Sequence, residues 1–464
     1  MTTHRLRNFL SGALLAVAAG APVLGQSPLQ SSGAARATFT DRGLEDLVSE
    51  ALAKNPDIAA SAATAEAAGF RIAPARTLPD PFLALNYQND GWAFSLGVQD
   101  MTFLGLVFAQ PLPWPGKLRL AGEEAAFRAE EVKAGTVGRT RLAVEARVRR
   151  AYYEYLLARS LLDLIEDRSR AWREISTITR ERYAVGLGVQ QDVLRAQVEV
   201  LRLDEARADQ TAQVANRRTE LNRVVGRPQD APLDTDQHLE YRPDVPALDA
   251  LLIAVRDRSP ELAAASHGIE ADRSRVELAK KDLLPDFVAS GGPMYRGGLD
   301  PMWQVGLGIT LPIYAGSRQK PRLEAAKAEL HSDESLYSSA ALELEFRTRE
   351  RFRNLDAALR VARLYREGVL PTDELSLESA VASYRTGKVP FVTVLEALTT
   401  LYADRATYLG RLGDAEKWRV AIDEAELQPS ASMTAVGPAV ATSKGSIMGS
   451  TSAAVGMSSS PSMR

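Results

Sequence analysis

Bulky apolar residues recur in alternating steps of four and three through Val144, Val148, Ala151, Tyr155, Ala158, Leu162, Ile165 and Trp172. Such spacing holds one stripe on one face of a helix and is the seam of a coiled coil. No proline interrupts Gly116 to Arg227, where strong helix formers dominate. The break falls at Gly186-Leu187-Gly188, since two close glycines weaken a helix and permit a tight reversal. The pattern predicts a helical hairpin whose first arm, Leu118 to Arg182, is about 65 residues and roughly 100 Å long.

A second hairpin is predicted from Arg322 to Tyr384, with a tip at Thr386-Gly387-Lys388. Its return arm carries Phe391, Val394, Leu398, Leu401, Tyr408 and Leu412 on the same seam spacing. Pro371 lies inside its outgoing arm and lacks the N–H that a helix needs there, so a kink or short break is expected near Gly368.

Between the short N-terminal helices and each hairpin the period changes to two. Trp303, Val305, Leu307 and Ile309 alternate with Gln304, Gly306, Gly308 and Thr310. Its partner strand begins near Phe287. Earlier, Leu83, Leu85 and Tyr87, then Leu104, Leu106 and Phe108, show the same alternation. Taken alone, these strands suit either a transmembrane barrel, with lipid on the greasy face, or a soluble half-buried hairpin. Four strands cannot close a barrel, and open edges in hydrocarbon leave backbone groups unpaired, so the barrel reading requires several chains to share one sheet.

The chain also repeats itself. Leu44 to Pro56 (LEDLVSEALAKNP) answers Leu248 to Pro260 (LDALLIAVRDRSP). LPDPF at Leu78 answers LLPDF at Leu283, and PLPWPGK at Pro111 answers TLPIYAGS at Thr310. Tyr183-Ala-Val-Gly186, Val193-Leu194 and Ala196 recur as Tyr384-Arg-Thr-Gly387, Val394-Leu395 and Ala397 with equal internal spacing. Pairs preserved in order indicate tandem duplication. We read a first repeat over 39–227, a Pro/Asp-rich linker over 228–244 and a second repeat over 245–425.

Composition adds the compartment. His4, Arg5 and Arg7 precede an apolar run from Phe9 to Val23 and small residues, which predicts a secretory signal over 1–25 cleaved after Gly25. The run is too short for a spanning helix. The sequence holds no cysteine, which excludes disulfides, thiolate metal sites and a lipidated N-terminal Cys. A net charge of −3 gives no field for nucleic acid. Residues 429–464, poor in bulky apolar side chains, are expected to be a disordered tail. Met433, Met448, Met457 and Met463 there are too widely spaced for a preformed soft-metal site.

Nothing suggests catalysis. The histidines His4, His238, His267 and His331 form no metal-ligand spacing, and no phosphate loop or nucleophile motif appears. No cofactor and no bound metal are expected. A periplasmic coiled-coil adaptor is the structural alternative, but alternation of two hairpins with two strand pairs favours a channel.

These features together resemble the TolC family of outer-membrane factors over Phe39 to about Ala425, most specifically in the paired tip motifs. PDPF at Pro79 with PLPWPGK at Pro111 resembles its heavy-metal efflux branch. The resemblance implies a mainly α fold with a small β part: duplicated α-hairpins forming a periplasmic α-barrel tunnel, and four strands per chain shared in a trimeric transmembrane β-barrel. It further implies a homotrimer acting as passive outer-membrane exit duct, with a periplasmic adaptor and an inner-membrane pump as partners. The adaptor would meet the tips, Gly186, Leu187, Gly188 to Gln190 and Gly387, Lys388, Val389 to Pro390. Trp303, Val305, Leu307 and Ile309 would face lipid.

In that family the tunnel ends in an iris lined by acids. Asp192 and Glu396 match acidic positions of the pattern, and Thr393 stands where a second acid is often found. Lys388 lies one position from the usual basic latch partner, where this chain has Val389. A ring of carboxylates would favour cations in a narrow pore. The cargo stays open between metal cations, drugs and, through a type I secretion system, protein.

Overall fold

The computed structural model describes residues 42–425 apart from 234 and 236. The expected export signal over 1–25 and the tail over 429–464, with its methionines, lie outside the described residues. The chain opens with α1 (Arg42–Lys54), α2 (Pro56–Phe70) and α3 (Ile72–Arg76), then β1 (Phe82–Gln88) and β2 (Phe103–Leu112). A long helical hairpin follows: α4 (Lys117–Val132) and α5 (Arg139–Ala184) lead out and α6 (Gln190–Val225) returns. The order then recurs as α7 (Leu248–Arg258), α8 (Pro260–Lys281), β3 (Asp286–Tyr295), β4 (Met302–Thr310), α9 (Gln319–Leu364), α10 (Leu370–Arg385) and α11 (Phe391–Glu424).

Local sequence explains the corresponding joints. Asn55 accepts the Asp57 N–H at 2.8 Å and Pro56 opens α2, where its missing N–H costs nothing. In the second copy Ser259 accepts the Leu262 N–H at 3.4 Å and Pro260 opens α8.

The outgoing arms depart from uniform α-helix in two places. Between α9 and α10 the chain forms a π-helical turn, Tyr365–Val369, just ahead of Pro371. Helical winding therefore continues past the proline, and the expected interruption takes the form of a wider turn. The first arm was expected to be one uninterrupted helix; instead a π segment, Lys133–Gly138, separates α4 from α5. Its sequence, KAGTVG, combines two glycines with two β-branched residues and has little α-propensity to resist the wider winding.

The seams form the core. Val144, Val148 and Tyr155 of α5 are buried, and Leu44, Leu47 and Val48 of α1 close over them together with Leu221 and Val225 of α6. A second cluster joins the hairpins near their tips: Trp172 and Ile175 of α5, Ala196 of α6, Tyr384 of α10, and Phe391, Val394 and Leu398 of α11. Thus α5 packs on both α6 and α11, while α11 packs on α9 and α10. Arg419 of α11 donates to the carbonyls of Arg242 and Asp244, fixing the end of the linker to the core.

All four strands form one antiparallel sheet in the order β1-β2-β3-β4. Its central junction, β2 with β3, joins the two copies; β1 and β4 are its edges. Register places Leu83, Leu85 and Tyr87 beside Phe108, Leu106 and Leu104, and Ile309, Leu307, Val305 and Trp303 beside Phe287, Ala289, Gly291 and Pro293. Opposed residues share a face, so one side of the sheet is apolar from edge to edge apart from Gln110, opposite Ala289. The other side carries Asn86, Gln88, Gly105, Ser290, Gln304 and Gly306.

The β2–β3 ladder is interrupted between the pairs Gly105↔Met294 and Phe108↔Gly291. There a Cβ on Gly292 would lie 1.8 Å from the Leu106 carbonyl oxygen, a distance no side chain tolerates. Gly292→Ala is expected to cost about 1–3 kcal/mol, as overpacking does. Gly298→Ala, with open space around it, should change stability by no more than about 0.5 kcal/mol. Urea or thermal unfolding of the two variants checks this; equal midpoints would remove the close approach.

Candidate functional site

The two hairpin tips are built alike. At the first, Leu187 N–H donates to Arg182 C=O at 2.9 Å and Gly186 N–H to Tyr183 C=O at 3.0 Å. At the second, Lys388 N–H donates to Ser383 C=O at 2.9 Å and Gly387 N–H to Tyr384 C=O at 3.0 Å. This is the Schellman closure of a helix end, and it needs a left-handed residue, supplied by Gly186 (φ 76°) and Gly387 (φ 75°). Gly188 is half-buried against Arg182 and Tyr183.

The side chains then diverge. Tyr183 is 49% exposed, whereas its counterpart Tyr384 is 3% exposed within the cluster between the hairpins. Tyr384 Oη donates to Asp192 Oδ2 at 3.3 Å, and the Arg182 guanidinium stacks 4.7 Å from the Tyr384 ring centre. Arg182 also donates to the carbonyls of Tyr384, of Arg385 at 2.8 Å and of its own tip residue Leu187 at 2.9 Å. Burial, with the Asp192 charge second, pushes the Tyr384 hydroxyl above its ordinary pKa, so it stays a donor at neutral pH. Outside this lock, Arg385 pairs with Glu174 of α5 at 3.3 Å.

The sequence-derived candidates separate accordingly. Asp192 is half-buried and bonded to Tyr384. Glu396 is exposed and Thr393 half-buried on α11. These two help line a polar groove between α10 and α11 of ≈ 430 Å³, with Asp373, Ser376, Ser383 and Thr400. Lys388 is exposed and forms no ion pair among the described residues. The basic groups that join the hairpins at their tips, Arg182 and Arg385, were not among the candidates. Arg182 directly precedes the tip tyrosine already noted, but its position in the second copy is Ser383, so the repeat itself gave no signal.

Exposed apolar residues distinguish the first tip: Val185, Leu187 and Val189 are all open. The expected lipid contacts are also open, with Trp303, Val305, Leu307 and Ile309 at 76%, 77%, 72% and 54% exposure. At one end of that sheet face stand Tyr87, Tyr295 and Trp303, with Phe94 stacked on Tyr87 at 4.8 Å. At the other, Trp114 stacks on Phe287 at 5.6 Å. Aromatic rings at both margins of an apolar band are the pattern of a membrane-facing sheet. Among the described residues no helix is long and apolar enough to cross a membrane, and no group of three His, Cys, Asp or Glu could hold a metal ion.

The sequence pattern of the family described as "Outer membrane efflux protein" matches residues 47–227 and 251–425. The chain belongs to this family. It is similar to the cobalt-zinc-cadmium resistance protein CzcC of Cupriavidus metallidurans, 24% identical over 381 residues, covering 82% of this chain and 88% of the relative. Outer membrane protein TolC of Escherichia coli is 26% identical over 387 residues, covering 77% of each. The solved structure of VceC from Vibrio cholerae shares the fold, with a TM-score of 0.66, 18% identity, and coverage of 82% and 95%. As a TolC-like outer membrane efflux protein, the chain has its sheet in the outer membrane and its helical tunnel domain in the periplasm. Members of the family are channels rather than enzymes.

One acid of the groove, Asp373, titrates abnormally. Burial, then a hydrogen bond shared with Asp404 of α11, raises the Asp373 carboxyl above its ordinary value of 3.8. The sign follows from the raised value: protonated Asp373 is favoured by the fold, and its contribution is lost as pH rises above 3.8 through the folded-state pKa. Asp404→Asn removes the opposing charge. It is expected to raise the thermal midpoint at pH 7 and to have no such effect below pH 3.8. Circular dichroism melts at both pH values check it; a gain independent of pH would refute the shared-proton pair.

Proposed function

We propose that three copies form one passive duct carrying substrates from an inner-membrane pump and a periplasmic adaptor to the exterior. The observation that carries this reading is the sheet: four strands, one continuous apolar face and two open edges. Three such sheets joined edge to edge would satisfy the backbone and present the apolar face to lipid. Detergent-extracted protein should have the native mass of three chains; a stable monomer in lipid would overturn the assembly.

In this reading residues 1–25 serve export, repeats 39–227 and 245–425 build the duct, and 228–244 link them. The adaptor docks at Gly186 to Gln190 and Gly387 to Pro390, where the reversals bring backbone to the surface. Glu396, with Thr393 beside it, contributes the acidic ring, while Asp192 serves the contact that holds adjacent hairpins together. Arg182, rather than Lys388, supplies the basic latch. Tyr384→Phe combined with Arg182→Ala removes the lock's polar contacts and is expected to raise single-channel conductance in planar bilayers several-fold. Unchanged conductance would show that the tips do not form the constriction. Glu396→Gln should lower cation preference with the fold intact.

Heavy-metal cations are the proposed cargo, supported by similarity to a protein named for cobalt, zinc and cadmium resistance and by the carboxylates of the α10–α11 groove. Deleting the gene should sensitise cells to those metals, and the intact gene should restore growth. Loss of protein secretion with unchanged metal tolerance would replace efflux with a type I secretion role.

A further inference from the structure

The duplication specifies how one copy's sheet joins the next. Within the chain, the second strand of the first repeat, β2, pairs with the first strand of the second repeat, β3. The equivalent junction made by the two edges sets the second strand of the second repeat, β4, against the first strand of the first repeat, β1, of another copy. The sequence repeats align these elements without reference to any partner. Leu112-Pro113 corresponds to Leu311-Pro312, and Leu284-Pro285-Asp286 to Leu78-Pro79-Asp80.

Carrying this alignment along the strands maps Phe108 to Leu307, Gln110 to Ile309, Ala289 to Leu83 and Gly291 to Leu85. We infer that β4 of one copy pairs antiparallel with β1 of the next in the register Ile309↔Leu83 and Leu307↔Leu85, with Gly308↔Ala84 and Gly306↔Asn86 between and beyond them. The inference rests on the proposed assembly of copies and adds the register to it.

Three features agree with this register, the first two through one parity of side-chain facing and the third through its phase. First, the apolar face is preserved across the seam: Leu83 and Leu85 already share a face with Phe108 and Leu106, as Ile309 and Leu307 do with Phe287 and Ala289. A slip of one residue would turn every one of these side chains to the wrong side. Second, the inward pairs are small or amide-bearing and continue the polar face.

Third, the ends of the seam are complementary. In the chain's own junction Asp286 accepts the Trp114 N–H at 2.7 Å and an ion pair from Lys117 at 2.9 Å, and Trp114 covers Phe287. The aligned residues are uncovered, Asp80 and Pro81 on one edge and Ile313 by the other; Lys117 aligns with Gly316, and the exposed cations Arg318 and Lys320 follow it within four residues. In the inferred register Asp80 comes opposite Pro312, beside the turn bearing those two cations. Its carboxylate there takes the place that Asp286 holds within the chain.

A sequence without cysteine makes the test clean. Directly opposed pairs alternate between a wide hydrogen-bonded and a close non-hydrogen-bonded type, so one of two successive pairs has the shorter separation. Leu85→Cys with Leu307→Cys, and Ala84→Cys with Gly308→Cys, are introduced into the full chain, exported to the outer membrane and oxidised there. At least one double variant should give covalent dimers and trimers on non-reducing gels, and the single variants should not. Leu85→Cys with Val305→Cys, or with Ile309→Cys, reports a slip of two residues.

Cross-linking through a slipped pair, or through no pair while the native mass remains that of three chains, overturns the register and leaves the assembly standing. A monomeric native mass for the cysteine-free parent overturns the assembly reading itself.

Discussion

Backbone hydrogen bonding along the two free edges of the sheet is the constraint from which the rest of the molecule follows. In water, the outer N–H and C=O groups of β1 and β4 would be solvated at little cost. In hydrocarbon each unpaired group costs several kcal/mol, and a strand edge presents several. That penalty rivals the 5–15 kcal/mol by which a folded domain is typically stable (order-of-magnitude, about). The apolar face therefore cannot enter lipid until the edges are paired. In the proposed assembly, membrane insertion and association of copies become one coupled process, and the sheet's polar face becomes the wall of a passage.

The helical part obeys a gentler rule. Its arms are long, their buried seams are narrow, and near the tips an apolar cluster around Trp172, Phe391 and Val394 joins the hairpins, with a few polar contacts at its outer end. The Tyr384–Asp192 hydrogen bond and the Arg182 contacts are each of modest net value, about 0.5–1.5 kcal/mol for a hydrogen bond and about 0.5–1 for an exposed cation–π pair. Such polar terms orient the extreme tip, whereas the apolar cluster behind them holds the hairpins together.

What the sequence revealed and what it hid divide along physical lines. The seam residues and strand faces were legible because period alone determines which side chains share a face. The reversals were legible because Gly186 and Gly387 satisfy a backbone requirement that few other residues meet. The π segment at Lys133–Gly138 was not, since low propensity marks weakness in a helix without specifying how it relaxes. The tip lock was hidden for a different reason. Tyr183 and Tyr384 occupy the same motif, yet one is open and the other buried. Which of them faces a neighbouring hairpin depends on packing between segments about two hundred residues apart, set by the fold and absent from either local pattern.

Duplication also creates two unlike junctions from one design. The junction within a chain brings α5 against α11 without any loss of translational freedom, because the linker already joins the copies. Its contacts combine the buried apolar cluster around Trp172 and Val394 with the polar ones at Arg182. In the proposed trimer the other junction must supply free energy for association, which costs several kcal/mol before any contact is made. The uncovered bulky apolar residues are distributed as that difference requires. On the long helices most lie on α6, at Leu194, Val198 and Leu201, and on α9 and α10, at Leu336, Leu342, Phe346, Leu364 and Leu375, with Tyr183 on α5 and Val392 on α11 close to the tips. These helices flank the packed α5–α11 pair. In the proposed trimer this uncovered apolar surface is what one chain offers another, while the within-chain junction already buries its own apolar cluster.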